Sequence, residues 1–148
     1  MDPIRDHPAN EGVIRWLCRG RGGVASVAAP GSVLDPYYGC GSHPEVVERV
    51  WDQLGRGMPP ESRVILCGTP ALVDPTTGLI LAVGYGTSYA LRLPEGALPA
   101  ALRAGCATTH RWGDGTVTDL SRQFGPDWVF GRWAEAEEAW CRAASVPS

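Results

Sequence analysis

The chain predicts a single α+β domain, an antiparallel β-meander packed against amphipathic helices, and three stretches carry that expectation. Residues 79–93 read as two apolar strands folded about a tight turn containing Gly86, with Pro94 as the stop. Just before them, Asp74-Pro75-Thr76-Thr77-Gly78 has Asp, Pro and Gly where a turn wants them. Helical apolar stripes over residues 42–54 and 133–144 supply the cover for such a sheet. Residues 1–41 read as an N-terminal helix with an irregular wrapping segment, and residues 42–148 as the α+β core of one structural domain.

In chain order, residues 10–19 form a short helix with Asn10 as N-cap and Val13, Ile14 and Leu17 on one face. The Arg19-Gly20-Arg21-Gly22-Gly23 stretch ends it. Two Arg are too few for a phosphate contact, and a helix stop before a flexible loop is the preferred account. Residues 24–41 are Pro- and Gly-punctuated and read as a connection without strands.

Ser42-His43-Pro44-Glu45 fits a capping box, with Val46, Val47, Val50, Trp51 and Leu54 on the apolar face behind it and Gly55 as the stop. Val64-Ile65-Leu66-Cys67 is a strand that Gly68-Thr69-Pro70 breaks, and Ala71-Leu72-Val73 is the next. A short helix over 98–104, a strand over 106–111, and a turn at Gly113-Asp114-Gly115 into Thr116-Val117-Thr118 follow. Trp128-Val129-Phe130 is apolar and brief. The expected core comprises Val47, Val50, Trp51, Leu54, Ile65, Leu81, Val83, Leu91, Leu93 and Trp140.

Composition narrows the function. At 148 residues with 44% hydrophobic and 20% charged residues, the chain can bury a core of its own. All 13 basic residues are Arg. The absence of Lys removes Schiff-base chemistry and the phosphate-loop lysine. A net charge of −3, with Arg and acids interspersed, argues against a nucleic-acid partner. No apolar run is long enough for a membrane span and no secretory signal is seen, so a cytoplasmic address is expected. The odd number of cysteines, Cys18, Cys40, Cys67, Cys106 and Cys141, and their irregular spacing read as reduced thiols.

Four constellations could carry chemistry. Cys40, His43, Cys106 and His110 offer the two thiols and two imidazoles that tetrahedral zinc accepts, but the paired knuckles of a zinc ribbon are missing. Cys40 with His43 could act as nucleophile and base, although no third orienting group stands by. Ser88 with His110 and an Asp lacks the second Gly of a nucleophile elbow. Gly84-Tyr85-Gly86 lacks the third Gly of a dinucleotide loop and lies inside a hairpin. Buried thiols and turn glycines are the preferred accounts, and no cofactor is expected.

The six Trp are the more informative surplus. Trp51, Trp133 and Trp140 belong to apolar helix faces. Trp112 and Trp128 flank turns, and exposed Trp beside Arg typifies interaction hot spots. Arg111, Trp112, Asp114 and Trp128 are therefore the candidate binding residues.

Over residues 45–144 the order of elements resembles the small α+β domain of the TfoX N-terminal and YjbR (MmcQ)-like group. The helix with Val46, Val50 and Leu54 precedes a strand over 63–67. The strands over 71–73 and 79–83 are joined by the Asp-Pro turn, and Tyr89-Ala90-Leu91-Arg92-Leu93-Pro94 looks like a strand of that group, with Arg92 where Lys is usual. A helix ending in Ala104-Gly105 and a terminal helix with Trp140 complete the likeness. The resemblance carries no catalytic motif and implies a non-enzymatic domain for protein interaction or regulation. The leading expectation is thus a small, Lys-free, Trp-rich cytoplasmic protein that binds another protein, as a regulatory or neutralising, immunity-type partner. Self-association stays open. The alternative is a small zinc- or thiol-dependent enzyme using Cys40, His43, Cys106 and His110.

Overall fold

A computed structural model describes residues 3–19, 22, 25–31, 47–85, 88–93, 99, 103, 110–112, 116–118, 124 and 128–132. Its centre is a six-stranded, wholly antiparallel sheet. The strands are β1 (Val27–Ala28), β2 (Arg63–Leu66), β3 (Thr69–Val73), β4 (Ile80–Tyr85), β5 (Ser88–Arg92) and, after a separate hairpin, β8 (Trp128–Arg132). They lie side by side in the order β1-β2-β3-β4-β5-β8. The separate hairpin pairs β6 (His110–Trp112) with β7 (Thr116–Thr118). The expected meander is therefore present, from β2 through β5.

Turn chemistry sets its register. Asp74 Oδ1 accepts from Thr76 N at 2.8 Å, Gly78 N donates to Asp74 O at 2.7 Å, and Asp74 N donates to Leu79 O at 2.8 Å. Gly78 closes the turn at φ 80°, and a Cβ there would collide with the backbone of Pro3 and Ile4, which passes directly over it. Between β2 and β3 the break falls one residue earlier than expected. Cys67 (φ 49°) and Gly68 (φ 80°) make the two-residue turn, both in the left-handed region that suits a hairpin. Thr69 and Pro70 belong to β3. Pro70 lies opposite Ile65 and beyond the last β3–β4 pair, Ala71 with Val83, so its missing N–H interrupts no ladder bond. A bulge in β4 makes Val73 face Ile80 while Leu72 faces Ala82. The residue left over is Leu81, which is half-buried; its expected place in the core is corrected by that bulge.

Alternation along the strands divides the core between two faces. On the first face Leu66, Ala71, Val73, Ile80, Val83, Ala90, Trp128 and Phe130 meet Val13, Ile14, Trp16 and Leu17 of the N-terminal helix. On the second, Ile65, Leu72, Ala82, Leu91, Leu93 and Val129 meet Val47, Val50 and Trp51. The segment that brings these last three is α-helical at Val47 and Glu48 and widens to a π-helical stretch, Arg49–Leu54. Gly55 follows it, and the position requires glycine because a side chain there would strike the Trp51 carbonyl and Leu72. The capping box at residues 42–45, the terminal helix with Trp140, and the side chain of Leu54 lie outside the described residues.

The N-terminal segment is more ordered than a wrapping strap. It comprises α1 (Pro3–Asp6), a 3-10 turn (Pro8–Asn10) and α2 (Glu11–Leu17). Asn10 does not cap α2 with its side chain; that expectation is corrected. It is fully buried and ties the segment to the sheet instead. Its Nδ2 donates to Ile4 O at 2.9 Å and Gly78 O at 2.8 Å, and its Oδ1 accepts from Ile80 N at 2.8 Å. The chain's single Asn thus satisfies three main-chain groups where the β3–β4 turn meets β4.

Candidate interaction site

Strand β1 forms one outer edge of the sheet, inside the stretch expected to hold no strand. The phase of its ladder follows from one bond: Cys67 N donates to Ser26 O at 2.8 Å. Val27 then faces Leu66 and Ala28 faces Ile65. Antiparallel pairs alternate between bonded and non-bonded, so Val27 points its own N–H and C=O away from β2, to the outside. Beside this edge runs a groove of about 460 Å³, lined by Val27, Ala28 and Ala29 together with Glu61, Arg63 and Val64. Val27, Ala28 and Val64 are half-buried and Glu61 is exposed. Arg63 Nη1 donates to Asp52 Oδ1 at 2.8 Å, which fixes the cation at the groove wall. The site therefore offers main-chain donors and acceptors, a small apolar floor and charges of both signs.

A second groove, about 640 Å³, lies along the N-terminal segment between Arg5, Asp6, His7, Glu11 and Arg15. Its polar groups serve local structure. Arg15 pairs with Glu11 at 2.5 Å, Arg5 Nε donates to Ala25 O at 3.1 Å, and His7 Nδ1 accepts from Ala9 N at 3.1 Å. Charges of both signs alternate around it, so it selects neither an anion nor a cation.

The expected site residues fare differently. Trp128 is wholly buried and belongs to the first-face core; its role as an exposed contact is corrected. Its ring meets Phe124 edge-on at 5.1 Å, and Arg92 lies over it at 4.9 Å. Arg92 also donates to Ile80 O at 2.8 Å and Ala9 O at 3.2 Å, so it joins β5 to the N-terminal segment. Among the described residues, Trp128 Nε1 and Ser62 Oγ are buried polar atoms with no hydrogen-bond partner. Arg111 and Trp112 lie in β6, opposite Val117 and Thr116, and their side chains fall outside the described residues, as does Asp114 altogether. Of the four metal candidates, only the backbone of His110 is described, opposite Thr118; Cys40, His43 and Cys106 lie outside. No group of three or more potential metal ligands occurs among the described residues.

Cys18 and Cys67 are joined by a disulfide across 49 residues, with Cα atoms 5.6 Å apart, a usual span for the bond. The expectation of reduced thiols is corrected for these two. No local signal in the sequence pairs them: Cys18 ends a helix and Cys67 sits in a hairpin turn. Among the described residues no helix is long and apolar enough to cross a membrane. Comparison with protein-family models, curated proteins and solved structures yields no match.

Proposed function

We propose that the chain is a non-enzymatic protein-interaction domain, regulatory or neutralising in role, whose partner adds an extended segment to the open β1 edge. The observation that carries this reading is the outward main chain of Val27 beside the groove of Glu61, Arg63 and Val64. An added strand gains affinity from main-chain bonds and specificity from the side chains next to them. The resemblance to the TfoX N-terminal and YjbR (MmcQ)-like domain stands with this proposal. Its support is the order of a helix at 47–54 followed by β2, β3, β4 and β5. We further place the protein in the cytoplasm. The Cys18–Cys67 bond sets a condition on that address, because cytosolic disulfides are as a rule transient or redox-sensing.

The test is affinity capture from the native host at endogenous level, with wild type beside Val27→Pro. Proline removes the outward N–H while fitting an edge strand. A stoichiometric partner is expected. Its affinity should fall roughly tenfold in the variant, the worth of one main-chain hydrogen bond. Self-association alone, or equal capture by both proteins, overturns the reading. A stoichiometric metal in the purified protein would replace it with the zinc-dependent alternative at Cys40, His43, Cys106 and His110.

A further inference from the structure

The disulfide stands where three segments meet. Cys18 follows the last residue of α2, and its N–H donates to Ile14 O at 2.9 Å. Cys67 occupies the β2–β3 turn, where it grips the strand next to it twice. Its N–H donates to Ser26 O at 2.8 Å, and its Sγ accepts from Ser26 N at 3.4 Å. Ser26 leads directly into β1, whose pairing with β2 spans only two residues. The disulfide therefore ties the end of α2 to the same turn that holds the start of the edge strand by hydrogen bonds. The rest of the N-terminal segment has its own anchor, the three Asn10 hydrogen bonds at the other end of α2. The second-face core includes neither cysteine.

The two cysteine residues are not equally exposed. Cys18 is wholly buried, whereas Cys67 keeps 8% of its surface on the turn. We propose that the Cys18–Cys67 pair is a reversible redox latch that holds the end of α2 and the edge strand β1 in place. An incoming dithiol reductant attacks the Cys67 sulfur as a thiolate. The S–S bond breaks, and Cys18 leaves as a thiolate and takes up a proton. The second thiol of the reductant then attacks the mixed disulfide and expels the Cys67 thiolate. The reductant ends as a disulfide, and its two electrons reside in the two protein thiols. A low-molecular-weight disulfide runs the sequence in reverse. Opening the latch frees the Cys67 turn from the end of α2, so β1 is held only by its two residues of pairing and by hydrogen bonds to a turn no longer cross-linked, and the edge offered to a partner changes with redox state. The inference rests on the proposed edge docking for what is gated.

The test is amide hydrogen exchange on the full chain, oxidised and after treatment with dithiothreitol, together with a peptide map of the unreduced protein. The map should contain a peptide pair linking Cys18 to Cys67. Reduction should speed exchange in α2 and at residues 25–28 at least roughly tenfold, the mark of a local opening. Exchange at Val50 and Leu91, in the second-face core, should stay unchanged. A Cys18→Ala/Cys67→Gly variant, which keeps the left-handed turn conformation available, should behave as the reduced protein under oxidising conditions. The latch is overturned if the linked pair is absent from protein isolated from its host, if the bond resists the dithiol in the folded protein, or if reduced α2 exchanges as slowly as oxidised α2. None of these readouts needs a partner, so failure of the latch is distinct from failure of the edge docking.

Discussion

On one face of the sheet the cover is a four-residue and a seven-residue helix, held by a buried asparagine, a disulfide and the bridging Arg92. On the other face the described cover is the 47–54 helix, which packs through Val47, Val50 and Trp51 and, among the described residues, makes one buried side-chain bond to the sheet, from Trp51 Nε1 to Ala71 O at 3.1 Å. The contrast follows from chain distance, since all of these described helical stretches are too short to hold themselves together in water. The N-terminal segment also lies far along the chain from the strands it covers: Asn10 and Ile80 are 70 residues apart. Bringing such distant groups together costs closure entropy, which specific anchors offset. The 47–54 helix runs almost directly into β2 and needs little beyond apolar burial.

Four substitutions press on this difference. The largest effect is expected on the first face. Trp128→Ala empties a wholly buried site among Phe124, Phe130 and Ala90 and should cost about 4 kcal/mol in urea unfolding. Leu91→Ala, on the second face, should cost about 3 kcal/mol. If the Leu91 variant is the weaker by a clear margin, the first face is not the tighter half. Asn10→Ala comes next. It strands Ile80 N–H, Gly78 O and Ile4 O away from their partner and should cost about 3 kcal/mol. A loss below ~1 kcal/mol would mean that those groups find water at no expense, and the tether would not be what holds the N-terminal segment. The smallest effect belongs to Trp51→Phe. It removes one buried bond to Ala71 O while keeping most of the ring, for an expected loss of about 1 kcal/mol by thermal or urea unfolding. A loss as large as that of Asn10→Ala would erase the distinction between an anchored face and a packed one.

Much of the meander was legible before any coordinates, because its signals are local. The Asp74 turn is written in five consecutive residues, and Asp74 closes it with hydrogen bonds to Thr76 and Gly78. The 79–93 hairpin follows from apolar runs on either side of one tight turn, and β4 and β5 pair as expected. Of the ten expected core residues, Val47, Val50, Trp51, Ile65, Val83, Leu91 and Leu93 are buried. Leu81 is the instructive exception: composition marks it as core, yet a one-residue register shift decides which way a strand side chain faces. The candidate site was less legible. Trp128 looked like a surface aromatic beside a turn, and its place opposite Arg92 in a central layer depends on β8 joining β5.

The amino-acid sequence by itself determined the antiparallel meander, its Asp74 turn and several of its buried positions, since each depends on chemistry within a few residues. Only the tertiary structure decided that Asn10 tethers rather than caps, that Cys18 meets Cys67, that Trp128 is interior and that Val27 stands on the outermost described strand. Each of these is a meeting of segments distant along the chain, and no local pattern of residue types encodes which distant group will arrive.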